Sequence, residues 1–200
     1  MRRLTNSSTG RLGTGLADFL ASQGHKVTLL LGQGATEHGR QMAQSILRFT
    51  TTADLESRLE SLANPTVDAV FHAAAVNDFS FGAVWKRSPA GQLVTYKSAK
   101  LATRDGPFLV ELVPAPKVIL LLRSWFAKAF LVGWKFEVEG TRDQAIARAV
   151  EQLAVYRTNA CVINGPAYGD GYGCVTSPED CAHLPSAPGL YAHLNLMVGH

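Results

Sequence analysis

Short apolar runs alternate along this chain with segments whose apolar residues recur every three or four positions. Leu16, Phe19 and Leu20 fall at i, i+3 and i+4, so a helix is predicted over residues 13–23, with Gly24 ending it. Residues 26–31, 46–50, 67–75, 108–113, 130–134 and 160–163 are compact apolar runs and read as buried strands. Thr51 and Asp54 form an N-cap pair ahead of Leu55, Leu59 and Leu62, and Asn64-Pro65 ends that helix. Residues 116–126 read as helical. Thr141 and Gln144 make a capping box, and Ile146, Ala149, Val150 and Leu153 carry that helix to Arg157. Residues 190–198 supply a last helix. The longest stretch without a period, residues 77–104, is rich in Lys, Ser and Gly and reads as a flap over a functional site.

Strands alternating with helices, the strands apolar on both faces, predict an α/β fold. The expected architecture is Rossmann-like: a mostly parallel sheet with helices on both faces and a long flap, in one domain spanning residues 1–200. Such sheets bind ligands beyond the carboxyl ends of their strands. That directs attention to residues 32–36, 73–78, 113–116, 133–137 and 164–165.

Composition narrows the partners more than the fold. Of 200 residues, 46% are apolar and 18% charged, as in ordinary globular domains. Nineteen Lys and Arg against sixteen Asp and Glu leave a net charge of +3, too small and too dispersed for a nucleic-acid binder. Cys161, Cys174 and Cys181 are an odd set without C-x-x-C spacing, which argues against a disulfide framework or a four-cysteine zinc site. The histidines show no metal-ligand spacing, so no protein-bound metal is expected. No apolar run reaches the roughly 18 residues of a membrane helix, and no signal-peptide core opens the chain. A cytoplasmic protein without membrane contact is the expectation.

Candidate chemistry gathers after the strands and before the first helix. Asn6, Ser7, Ser8, Thr9 and Gly10, followed by Gly13 and Gly15, combine hydroxyls and glycines at a helix N-terminus. This suits a phosphate, because exposed N–H groups and the positive helix end favour an anion. Plain N-capping by Ser8 or Thr9 is the other reading. The glycine spacing brushes against dinucleotide fingerprints, but those follow a strand and only a few polar residues precede this loop. Ala74 and Ala75 would let a planar ligand approach the backbone, and Asp78 could accept hydrogen bonds from a sugar or base or simply cap a turn. Lys97 and Lys100 could neutralise a triphosphate or stand solvated. Pro116 precedes a helix whose first amides would face outward, and Trp134 could stack on a base or pack in the core.

In order along the chain, these segments resemble the phosphopantothenate–cysteine ligase family, the synthetase domain of the DNA/pantothenate metabolism flavoproteins. Residues 2–13, Arg-Arg-Leu-Thr-Asn-Ser-Ser-Thr-Gly-Arg-Leu-Gly, are similar to its R-x-(I/L)-(T/S)-N-x-S-(S/T)-G-x-(M/L)-G. Residues 74–79, Ala-Ala-Val-Asn-Asp-Phe, resemble A-A-V-A-D-(Y/F). Lys97-Ser98-Ala99-Lys100 stands where the family has K-x-K-K, residues 108–116 resemble L-x-(L/I)-x-L-V-x-x-P, and Gly133-Trp134-Lys135-Phe136-Glu137 resembles G-F-x-x-E. The resemblance implies a dimer that joins 4′-phosphopantothenate to cysteine. CTP or ATP, carrying Mg²⁺, would activate the carboxylate as an acyl-nucleotidylate, and cysteine would displace the nucleoside monophosphate.

By the same resemblance, Asn6 handles the acyl-nucleotidylate, Arg2 serves the same step, and Lys97 helps form the intermediate. Ser7, Ser8, Thr9 and Gly10 form the phosphate and substrate loop. Ala74, Ala75, Asp78, Pro116, Lys117, Val118, Ile119 and Trp134 are the nucleotide contacts. The family begins with a strand and a Gly/Thr-rich turn ending in D-P-V-R, whereas this chain starts at that arginine with Met1 in place of the valine. The middle lysine of K-x-K-K is Ala99, and the lysines that many bacterial members carry near Gln152 and Tyr156 are absent. Two other readings stay open: an NAD(P)-binding reductase of the short-chain type, for which Tyr96 and Lys100 have the Tyr-x-x-x-Lys spacing but stand in the polar stretch 77–104 rather than on a predicted helix, and a non-catalytic nucleotide-binding remnant.

Overall fold

A computed structural model describes residues 8–37, 39–97 and 101–199. In chain order the elements are α1 (Arg11–Ser22), β1 (Thr28–Gly32), β2 (Ser45–Phe49), α2 (Thr52–Ser61), β3 (Ala69–His72), β4 (Phe79–Arg87), β5 (Leu93–Thr95), β6 (Phe108–Pro114), α3 (Ile119–Trp125), β7 (Phe130–Phe136), α4 (Arg142–Tyr156), β8 (Ala160–Asn164), β9 (Tyr172–Ser177), β10 (Asp180–Leu184) and α5 (Ala187–Val198). They form two compact units, one of them Val76–Lys117 and the other built from the segments before and after it.

The larger unit holds a five-stranded sheet of order β10-β9-β8-β7-β3 and a separate parallel pair, β1 and β2. Within the large sheet β3, β7 and β8 run parallel. Successive side chains of a strand point to opposite faces, and both faces here are covered. Val132, Ala160, Val162 and Cys174 pack with Leu16 and Leu20 of α1 and Leu190 and Leu194 of α5. Their neighbours Cys161, Ile163 and Val175 pack with Ala145 and Ala149 of α4. Burial on both faces is why these strands read as continuous apolar runs rather than alternating ones.

The helix starts follow local chemistry. Thr51 Oγ1 accepts the Asp54 N–H at 3.1 Å, and Thr141 with Gln144 forms the reciprocal capping box. The last helix begins earlier than its apolar pattern suggested, because Ser186 caps it and Pro188 suits its first turn. Among the described residues, no helix is long and apolar enough to cross a membrane.

Two expectations need correcting. The sheet is mixed rather than mostly parallel, because β9 runs antiparallel to β8 and β10 antiparallel to β9. That hairpin mixes polar and small residues, and β10 has one strand neighbour among the described residues, so its sequence carries little apolar signal. The stretch 77–104 is not irregular either. It contains β4 and β5, which join β6 in an antiparallel sheet of order β5-β4-β6. Phe79, Phe81, Ala83 and Trp85 alternate with Ser80, Gly82, Val84 and Lys86, a period-two pattern that the glycine and lysines obscured. Residues 108–113, expected as a buried parallel strand, are mostly exposed on this smaller sheet.

Gly173 on β9 is tightly packed on the α4 face of the sheet. A Cβ there would stand 2.7 Å from Tyr168 Cε2 and 2.9 Å from Ile163 Cγ2, and both side chains are buried. Gly173→Ala should therefore cost about 1–3 kcal/mol in urea unfolding. Gly13, which lies in α1 with open space around it, should show the opposite sign: Gly13→Ala gains about 0.5–1 kcal/mol.

Candidate functional site

The loop before α1 is held by its own backbone. Gly10 takes the left-handed conformation, φ 78°, and caps the helix without a side-chain bond. Ser8 Oγ accepts the Gly10 N–H at 3.4 Å and Thr9 Oγ1 accepts the Arg11 N–H at 3.2 Å. The Thr9 carbonyl accepts the N–H groups of Thr36 and Glu37 at 3.1 and 2.9 Å, which ties this loop to the segment after β1. A Cβ at Gly10 would meet Ala35 Cβ at 2.9 Å. Asp18 fixes the same segment farther on, accepting the N–H groups of Arg40 and Met42 at 2.5 and 2.7 Å. The first turn of α1 carries no acidic side chain, so its positive end is not neutralised by its own sequence. Arg2, Asn6 and Ser7 lie outside the described residues.

β3 ends at His72, opposite Gly133, while β7 runs on to Phe136. Ala73, Ala74 and Ala75 follow β3 directly. A Cβ at Gly133 would crowd the Gln152 side-chain amide and stand 3.0 Å from Ile119 Cδ1, so α3 and α4 press on that face. Trp134 turns to the opposite face and packs against the α1 and α5 core. Its Nε1–H is buried without a hydrogen-bond partner among the described residues. Ile119 and Trp134 thus occupy opposite faces of the sheet. Val118 and Ile119 are buried side chains, so only their backbone could serve a ligand.

In the smaller unit, Phe79 pairs with Pro114 and Ala115 N–H donates to the Asp78 carbonyl at 2.9 Å. This brings Asp78, Pro116 and Lys117 together. The Asp78–Lys117 ion pair is long, 3.7 Å, and both side chains are more than half exposed, so it adds little stability. Lys97 is exposed two residues past β5. Its neighbour Tyr96 is anchored, donating to Asp105 Oδ2 at 2.8 Å and meeting Phe108 edge-on at 4.8 Å. Thr95 lies opposite Trp85, which sets Lys97 apart from Asp78 by most of β4, roughly 15 Å of strand. Ser98, Ala99 and Lys100 lie outside the described residues.

Charged side chains at the carboxyl end of β7 escaped sequence reasoning. Glu137, only 14% exposed, bonds Arg148 of α4 and pairs with Lys135 at 3.5 Å. Beside them is a cleft of about 130 Å³ bordered by Lys135, Arg148, Gln152 and Tyr156. Gln152 donates to Cys161 Sγ at 3.2 Å, and burial pushes that thiol's pKa up to about 12. Lys135 and Glu137 stand inside the Gly-Trp-Lys-Phe-Glu motif, so their signal was present. Arg148 gave none, because only the fold of α4 onto β7 brings it there. Among the described residues no three His, Cys, Asp or Glu side chains are placed to hold a metal.

Residues 1–176 match the profile of the DNA/pantothenate metabolism flavoprotein C-terminal domain. The chain belongs to that family. Similar curated proteins include the coenzyme A biosynthesis bifunctional protein CoaBC of Thermococcus kodakarensis, 27% identical over 82% of this chain and 37% of that protein. The Bacillus subtilis protein of the same name is 25% identical over 88% of this chain and 40% of its own length. The chain therefore spans about two fifths of these relatives. Among solved structures, the DNA/pantothenate metabolism flavoprotein of Streptococcus pneumoniae shares the fold with a TM-score of 0.82 at 21% identity, over all of this chain and 92% of that one. A Cab2 variant in complex with phosphopantothenate-cysteine superimposes with a TM-score of 0.64 at 17% identity, over all of this chain and 83% of that one.

His72 is a further feature of this flavoprotein-family domain that the sequence did not flag. The residue is half-buried, yet the enclosing protein desolvates its ring and pushes its pKa from 6.5 down to about 4. Between those values the unfolded chain binds a proton that the native state refuses. The His72 contribution is therefore complete above pH 6.5, shrinks as pH falls towards 4, and is lost below it. The span corresponds to at most about 3 kcal/mol. His72→Gln should flatten the stability profile between pH 6.5 and 4, read by urea unfolding at several pH values. An unchanged slope would show that the ring titrates normally in the fold.

Proposed function

We propose that this domain is a phosphopantothenate–cysteine ligase acting in coenzyme A biosynthesis. The observation that carries this reading is the family match over residues 1–176, with relatives named for coenzyme A biosynthesis. A carboxylate oxygen of 4′-phosphopantothenate attacks the α-phosphorus of CTP or ATP and pyrophosphate leaves. The cysteine amine then attacks the acyl carbon and the nucleoside monophosphate leaves. Mg²⁺ belongs to the nucleotide, whose triphosphate oxygens bind it.

In this reading, Ser7, Ser8, Thr9 and Gly10 receive a phosphate at the positive end of α1, a site that suits an anion. Asn6 donates from a neutral amide to the acyl oxygen, with Arg2 acting at the same step. Lys97 meets the triphosphate as charge moves onto the leaving pyrophosphate. Ala74 and Ala75 offer close backbone approach. Asp78 accepts from the base or sugar, the backbone from Pro116 through Lys117 and Val118 to Ile119 contacts the nucleotide, and Trp134 borders it. The reaction belongs in the cytoplasm.

The domain acts as a homodimer in this proposal. The smaller unit supports it by exposing Phe79, Phe81 and Leu112 on one face of its sheet, Phe81 directly opposite Leu112, where an apolar patch suits a contact with a second copy. Leu112→Glu should shift sedimentation from dimer to monomer. A dimer of unchanged stability would place the contact elsewhere.

The decisive measurement is single-turnover pyrophosphate release with 4′-phosphopantothenate and either CTP or ATP. Lys97→Gln should slow it by about 10²-fold or more, as for loss of one preorganised electrostatic contact. Nucleotide affinity should fall less, because the contact strengthens in the transition state. Asn6→Asp should still release pyrophosphate but fail to couple cysteine. Wild-type pyrophosphate release in Lys97→Gln together with wild-type cysteine coupling in Asn6→Asp, or binding of NADP in place of CTP and ATP, would overturn the ligase reading.

A further inference from the structure

A groove of about 1040 Å³ lies at the amino ends of β3, β7 and β8, the opposite end of the sheet from the candidate site. Asp68 precedes β3, Ala129 and Phe130 begin the β7 border, and Asn159 precedes β8. Three permanent cations face this groove: Arg123, Lys128 and Arg157. None of them has a carboxylate partner among the described residues. Asp68 is the one acid on its wall among the described residues, and Val67, Phe130 and Met197 add apolar lining.

The cations are arranged, not scattered. Arg123 spends its donors on protein: Nε on the Arg157 carbonyl at 3.0 Å, Nη1 on the Ala129 carbonyl at 2.9 Å, and Nη2 on Asn159 Oδ1 at 2.7 Å. It is a fixed positive charge, and both desolvation and the like charge of Arg157 hold its pKa below the ordinary value. Arg157 caps α4 in the left-handed conformation, φ 55°. Glycine ordinarily takes that position. Here the backbone is pinned through its carbonyl by Arg123, and an arginine is kept at a cost in stability. A strained residue bearing an unpaired charge, beside a second fixed cation, is a functional indication.

We propose that this groove binds a small phosphomonoester-class anion with an apolar body. The doubly charged head sits on Arg157 and Lys128 within the field of Arg123. The planar Arg157 guanidinium offers paired N–H donors that match phosphate oxygens. The body lies on Val67, Phe130 and Met197. This site is separate from the ligase reading and does not depend on it.

The probes are n-hexyl phosphate, inorganic phosphate and phosphatidylcholine vesicles doped with phosphatidic acid, each titrated calorimetrically or by co-sedimentation at low salt. Hexyl phosphate should bind about 10-fold tighter than inorganic phosphate through its apolar chain, and weaken as salt rises. Arg157→Gly should weaken it at least 10-fold while raising the thermal midpoint by about 2–4 °C, because glycine relieves the strained cap. Lys128→Gln should also weaken it, whereas Lys97→Gln should leave its affinity unchanged. The proposal is overturned by any of three results: no hexyl phosphate binding, binding indifferent to Arg157→Gly and Lys128→Gln, or binding to vesicles without binding of the soluble ester. Sensitivity to Lys97→Gln alone would assign the binding to the candidate reaction site and overturn it equally.

Discussion

Strand β7 is pressed by protein on both of its faces and paired along both of its edges, and the rest of the larger unit is arranged around that fact. Val132 and Trp134 point into the α1 and α5 layer. Gly133, between them, faces Gln152 of α4 and Ile119 of α3 so closely that no side chain fits. The strand is bonded to β3 on one edge and β8 on the other. Glycine at this position is what lets α3 and α4 close over the sheet.

The two ends of this sheet differ in how charge is handled. At the carboxyl end, Glu137 answers Arg148 and Lys135, so that cleft is nearly balanced. At the amino end, Arg123 is satisfied by carbonyls and an amide rather than by a carboxylate. Carbonyl groups solvate a guanidinium without cancelling its charge, so the amino end keeps a positive field. The helix N-terminus of α1 adds a second positive feature next to the loop of Ser8, Thr9 and Gly10. These three environments come from one layer arrangement, and each asks for a different ligand chemistry.

The smaller unit follows another principle. An antiparallel sheet can leave its faces uncovered, whereas a parallel one is normally buried on both. β4, β5 and β6 keep large apolar side chains exposed, so their stability comes from cross-strand pairing and from anchors such as Tyr96 on Phe108 and Asp105. Lys97 inherits its position from that anchor rather than from packing of its own.

The sequence by itself determined the elements whose signals are local. The capping box of Thr141 and Gln144, the cap of Thr51, and the apolar runs of β7 and β8 all depend on residues within a few positions of one another, and all appear where the pattern placed them. The family motifs were legible for the same reason, since each is a short contiguous string, and the match over residues 1–176 agrees with them. What only the tertiary structure decided depends on residues far apart. The β9–β10 hairpin has little pattern of its own and forms because β8 offers an edge. β4 and β6 pair across an interval in which the sequence shows mainly polar residues. The desolvation of His72, the meeting of Arg148 with Glu137, and the gathering of Arg123, Lys128 and Arg157 without a carboxylate partner among the described residues arise from how helices lie on the sheet. Charge and burial act through space, and sequence separation carries no record of that distance until the chain is folded.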